Sequence, residues 1–228
     1  MNLDPLAPPA TLSRSVIVDQ PDGLDAIHRA DVNLCVWRRA LDPSFAAWLA
    51  TVRDAVDSAA DATLDGLFPD ASALVAAFPR GAGRDALKRD LEDVARRYAR
   101  VMGASRVDAS LATVARDMCR KFHADYIGVR LLCTYSGPGT EWVDDAYVNR
   151  VAAPDPEQAV VDANRALVPD FTRVRALGAG DVGLFKGHAY PGNEGRGVIH
   201  RSAPVEARGL RRVVLKIDVR RPGEHDHS

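Results

Sequence analysis

The feature that most constrains this chain of 228 residues is a change in its hydrophobic period near residue 118. Before that point apolar residues recur at helical spacing. After it they come in short β-type runs split by glycine and proline. Asp42-Pro43 is a cap and first-turn pair ahead of Phe45, Trp48, Leu49, Val52 and Val56. Asp70 can cap a short helix through Leu74, Val75 and Phe78. Residues 84–102 place Leu87, Leu91, Val94, Tyr98 and Val101 on one stripe, with Gly103 at the stop position. From Ser105, the positions of Val107, Leu111, Val114 and Met118 suggest one more helix. Residues 124–135, 182–185, 197–200 and 212–219 read as strands, with a helix near 156–167. Helices first and strands later predict an α+β fold. The expected division is an arm over 1–30, helical support over 31–118, a β region over 119–220 and a tail over 221–228.

Composition limits what the chain can do. It has 30 basic and 31 acidic side chains and 46% hydrophobic residues. A chain this apolar can bury a core, and a net charge of −1 gives no general attraction to nucleic acid or an anionic membrane. No apolar run approaches the ~20 residues of a spanning helix. The acidic, proline-rich start, MNLDPLAPPATLSRS, lacks the pattern of an export signal, so a cytoplasmic location is expected. Cys35, Cys119 and Cys133 have no Cys-x-x-Cys spacing and are expected to be buried thiols.

The chemistry must then sit in a local site. His123-Ala124-Asp125 places an imidazole and a carboxylate two residues apart at the entrance to a strand, where both can reach one metal ion. His200 ends the run Gly197-Val198-Ile199-His200, and two arginines, Arg211 and Arg212, begin the last strand. Two histidines and one carboxylate leave coordination positions open, which suits Fe(II) that must also bind oxygen and a co-substrate. An arginine on the next strand can hold a carboxylate of that co-substrate with two hydrogen bonds. Strand alternation puts Arg211 on the apolar face with Val213, Leu215 and Ile217, and this favours Arg211 as the inward-facing clamp. The same alternation groups Tyr135 with His123 and Asp125, so its hydroxyl is a candidate co-substrate contact. Glu141 and Trp142 after the Gly137-Pro138-Gly139 turn, Lys186, His188 and Arg201 are further candidates for substrate contact. For Lys186 and His188 a solvated strand end is the plainer expectation.

Together, His-x-Asp at a strand start, a distal histidine followed by Arg-Ser-Ala-Pro, and an arginine on the following strand resemble the iron- and 2-oxoglutarate-dependent dioxygenases. The blocks KFHADYIGVRLLCTYSGPGTEW (121–142), GDVGLFKGHAYPGN (180–193) and GVIHRSAP (197–204), with VNLCVWRR (32–39), resemble more narrowly the bacterial family called domain of unknown function 1826. The resemblance implies a double-stranded β-helix, a jelly-roll barrel, with the helical layer packed on it. It also implies His123, Asp125 and His200 as metal ligands, and Fe(II) and 2-oxoglutarate as cofactor and co-substrate. Aligned by eye on the family's arginine-plus-aliphatic run, the clamp becomes Arg212, so both arginines stand. The alternative function is a non-redox zinc protein of metal homeostasis, with His188 or Cys133 as a further ligand.

Overall fold

The computed structural model describes residues 14–151 and 158–220. The expected tail and part of the arm lie outside these limits. In chain order the strands are β1 (Arg14–Val18), β2 (Val32–Trp37), β3 (Ala59–Asp65), β4 (Arg106–Val114), β5 (Val129–Ser136), β6 (Glu141–Val143), β7 (Arg175–Ala176), β8 (Val182–Lys186), β9 (Ile199–Arg201) and β10 (Arg212–Val219). The helices are α1 (Pro43–Ala55), α2 (Ala82–Met102) and α3 (Val160–Leu167). A large sheet has the order β1-β2-β8-β5-β10-β4-β3 and a small one the order β7-β6-β9.

Strands β5 and β6 lie in different sheets, and so do β9 and β10, yet β5 pairs with β10 and β6 with β9. The two-stranded ribbon therefore passes from one sheet into the other. Strands β7 and β8 run beside it, β7 on β6 and β8 on β5. Nested pairing of this kind is the double-stranded β-helix, on an α+β chain.

Each side of the large sheet has its own apolar contacts. Val129, Leu131, Cys133 and Tyr135 of β5, with Val213, Leu215 and Ile217 of β10, pack with Leu49 and Val52 of α1 and Leu87, Leu91 and Tyr98 of α2. On the other side Leu34, Val36, Leu132 and Phe185 meet Trp142, Leu177 and Val198 from the small sheet and its flanks. The helices form for the reasons legible in the sequence. The Asp42 carboxylate accepts from the amides of Ser44 and Phe45, and Gly103 stops α2 at φ +60°.

Two helices expected from the sequence are not there. Residues 106–114 form β4, which is hydrogen-bonded between β3 and β10, with Val107, Ala109, Leu111 and Thr113 buried in alternation before Val114 closes the strand, also buried. A spacing of four, as between Val107 and Leu111, satisfies a period of two as well as a period of 3.6, and the pairing partners decided between them. The segment after Asp70 is a run of turns that still buries Leu74, Val75 and Phe78. Among the described residues, no helix is long and apolar enough to cross a membrane.

Candidate metal centre

His123 and His200 are brought together by the backbone. Each amide donates to the other's carbonyl, at 3.0 and 2.9 Å, which ties the segment before β5 to the edge of the small sheet. Their ring centroids lie 4.6 Å apart. Asp125 completes the group: its Oδ1 is 3.4 Å from His123 Nε2, and its Oδ2 is 3.6 Å from His200 Nε2. The three ligand atoms all fall within 4.8 Å of one another, and this is the one such group among the described residues.

The hydrogen bonds prepare these side chains for a metal. His123 Nδ1 lies 3.0 Å from the Lys121 carbonyl, and His200 Nδ1 lies 3.0 Å from the Val198 carbonyl. A carbonyl only accepts, so each Nδ1 carries a proton, and Nε2 is the ring atom left to face the centre. Burial lowers the His200 pKa to about 4, aided by its neighbour His123, so this ring is neutral near pH 7. Burial opposes the charge on Asp125, but the His123 ring beside it and the charge of Arg130 hold its carboxyl well below the usual range, and without a metal the carboxylate in turn raises the His123 pKa. The donor set therefore fits a divalent transition metal.

Arg130 of β5 fixes the carboxylate. Its Nη1 donates to Asp125 Oδ2 at 2.6 Å, while its Nε and Nη2 grip Asp218 of β10 at 2.9 and 2.8 Å. Asp218→Asn is expected to weaken metal binding by about ten- to a hundredfold, the usual cost of losing an outer partner, while the fold survives. Competition against a chelator measures it.

A cavity of about 260 Å³ opens beside the triad. It is lined by His123, Asp125, Arg130 and His200 and, farther along, by Thr140, Ser202, Arg212, Val214 and Lys216. Arg212 is 4% exposed. Among the described residues its guanidinium makes only long hydrogen bonds, 3.5 Å to the Pro138 carbonyl and 3.4 Å to Ser202 Oγ, and its Nε has no partner. Burial pulls its pKa down, against the pull of Asp117, and among the described residues no carboxylate pairs with it.

Several sequence expectations move. Arg211 does not face the cavity: it reaches the Val56 carbonyl and Asp57 on the helical side. The most apolar face of β10 belongs against the helices, and the face carrying Arg212 looks into the cavity. Tyr135 is also on the helical side, where its hydroxyl donates to Asp90 at 2.6 Å. Residues 123–125 precede β5, so strand alternation does not carry Tyr135 to the metal side. Tyr135→Phe is expected to cost about 2 kcal/mol in thermal unfolding, as for a buried hydrogen bond to a charged group.

Lys186 is buried rather than solvated. Its ammonium donates to the Arg29 carbonyl and lies 4.3 Å from the Tyr190 ring centroid, away from the triad. Cys133 packs in the helical core, and His188 Nδ1 accepts from the Gly197 amide, so neither is a fourth ligand. Glu141 pairs with Arg201 at 2.7 Å, and Trp142 lies under the sheet opposite His200. The Gly137-Pro138-Gly139 turn is set by close packing. At Gly137, with φ +87°, a β-carbon would stand 2.2 Å from the Arg211 carbonyl. Sequence reasoning passed over Arg130 and Asp218, although Asp218 shares its strand face with Arg212 and their opposite charges were a usable signal.

Comparison with known proteins adds a family and distant likenesses of fold. A family model described as a protein of unknown function, DUF1826, matches residues 18–218. No curated protein matches the chain. Among solved structures, dioxygenase for auxin oxidation 1 from Arabidopsis thaliana, in its 2-oxoglutarate complex, is 10% identical over 94% of this chain and 95% of its own, at a TM-score of 0.48. The rice dioxygenase for auxin oxidation is 14% identical over 93% and 84%, at 0.49, and a Pseudomonas putida prolyl-4-hydroxylase 12% identical over 89% and 99%, at 0.42.

Proposed function

The chain belongs to the DUF1826 family of proteins of unknown function, and from the site it carries we propose that it is an Fe(II)- and 2-oxoglutarate-dependent oxygenase. The observation that carries this is Arg212. A guanidinium buried without a carboxylate partner among the described residues, in the cavity that also holds a His-Asp-His group, is costly unless an anion completes it.

His123, Asp125 and His200 would hold the metal and leave positions open on the cavity side. Iron bound there supplies the oxidation chemistry that couples 2-oxoglutarate decarboxylation to hydroxylation of a substrate. The chain's own part is orientation. Arg212 binds the distal carboxylate with its fork of donors, and Ser202 Oγ, already in contact with Arg212, steadies it. Arg130 keeps one lobe of Asp125 occupied, so the carboxylate offers the other in a fixed direction. Val214 and Leu132 limit water beside the bound chain.

Zinc without redox chemistry is less well supported. A closed zinc site wants four ligands, and the described residues gather three. A cytoplasmic setting suits the proposal, since Cys35, Cys119 and Cys133 are all unpaired thiols. The test is succinate formation from 2-oxoglutarate by the full chain. It is expected to require added Fe(II) and to vanish in His123→Ala; turnover that ignores metal, or none with iron present, counts against the proposal.

A further inference from the structure

A second cavity, of about 450 Å³, lies on the far side of β9 from the triad, within the size range of small-molecule sites. Side chains alternate along β9, so His200 points to the metal cavity while Arg201 points here. Ser202 lines both cavities and marks where they adjoin.

The charges in this second cavity do not balance. Arg120, Arg165 and Arg201 all line it, facing the single acid Asp117. Arg201 is neutralised by Glu141, and its guanidinium lies 4.4 Å from the Phe122 ring centroid and 5.6 Å from that of Phe171. Asp117 is already committed: its Oδ1 accepts from the amides of Val205 and Glu206 at 2.7 and 3.0 Å, and its nearest contact with Arg120 is a long 3.9 Å. Arg165, in the last turn of α3, has no ion pair among the described residues. Two cations thus face a cavity whose wall is otherwise largely apolar, made by Val160, Val161, Phe171, Pro204 and Ala207, with Asn164 and Ser202 as its neutral polar groups.

We infer that this cavity binds the anionic end of the reacting substrate, a small organic carboxylate or phosphate ester with an apolar body that reaches past Ser202 toward the metal cavity. The assignment of the ligand as substrate rests on the oxygenase reading. The binding site itself rests on the arginines and the apolar wall alone. Arg120 and Arg165 would take the anion by charge-assisted hydrogen bonds, and Phe171 with the valines would cover the body.

The experiment is calorimetric titration of the full chain with phenyl phosphate, benzoate, inorganic phosphate and benzyl alcohol. Phenyl phosphate or benzoate is expected to bind at least about tenfold more tightly than benzyl alcohol, and phenyl phosphate more tightly than inorganic phosphate. The double variant Arg120→Gln/Arg165→Gln, altered at two exposed positions, is expected to lose at least about tenfold in affinity for the anion. His123→Ala is expected to bind it as the wild type does, while losing 2-oxoglutarate turnover. Equal binding of the neutral alcohol, binding that survives the double variant, or binding lost in Arg212→Met instead would overturn the site. Binding with this pattern in a wild-type chain that never turns over 2-oxoglutarate would leave the site standing and remove the substrate role, so the two failures are distinguishable.

Discussion

Arg212→Met is expected to raise the KM for 2-oxoglutarate by about 30-fold to several thousandfold, the equivalent of the 2–5 kcal/mol typical of truncating one side of a buried charge pair. The same substitution is expected to raise the melting temperature of the chain without ligand. Methionine fills similar space with no charge, whereas the native guanidinium is buried with an unpartnered Nε and a lowered pKa. Opposite signs, weaker co-substrate binding but a more stable apo protein, separate a binding arginine from a structural one. Arg212→Lys should rescue little, because an ammonium lacks the planar fork that two carboxylate oxygens require. Steady-state kinetics and thermal unfolding of the same preparations check both halves.

His200→Ala is expected to abolish iron binding and 2-oxoglutarate turnover, a larger loss than for Asp218→Asn because a ligand is removed rather than its support. It also changes how stability depends on pH. The folded pKa of His200, about 4, lies below the ordinary 6.5, so the unfolded chain takes up this proton first as the pH falls. The stability contributed by neutral His200 is therefore complete above about pH 6.5 and is lost progressively down to about pH 4. The loss amounts to about 3 kcal/mol at 1.36 kcal/mol per unit. Without metal, His200→Ala should flatten this part of the stability profile, as measured by denaturant unfolding between pH 4 and pH 7.

The parts of the fold legible in the sequence were those fixed by local rules. Asp42-Pro43 starts α1, Gly103 ends α2, and the valine-rich run 212–219 is a strand. The misread parts turned on partners distant in the chain. Segment 106–114 carries apolar residues at spacings common to helix and strand, and only β3 and β10 on either side make it a strand. Likewise β1 and β2 extend the large sheet from a region read as arm and support, with β2 pairing to β8 across some 150 residues of chain. No local signal announces such a pair.

The candidate site divides the same way. His123, Asp125 and His200 were visible as residue types at suggestive positions, and the structure gathers them. Choosing between Arg211 and Arg212 by asking which face of β10 is more apolar pointed the wrong way. The large sheet packs its most apolar side against α1 and α2, and its other side lines the cavity beside the triad. A polar face in a double-stranded β-helix is a sign of the cavity, and Arg212, Lys216 and Asp218 make that face polar.

The most direct test of the central claim is an anaerobic titration of the Fe(II)-loaded chain with 2-oxoglutarate, followed by ultraviolet-visible absorption. The expected result is a metal-to-ligand charge-transfer band that saturates with 2-oxoglutarate, is absent in His200→Ala and needs far more 2-oxoglutarate in Arg212→Met. A chain that holds iron at the triad but develops no band, or one that refuses iron and binds zinc tightly, would contradict the account.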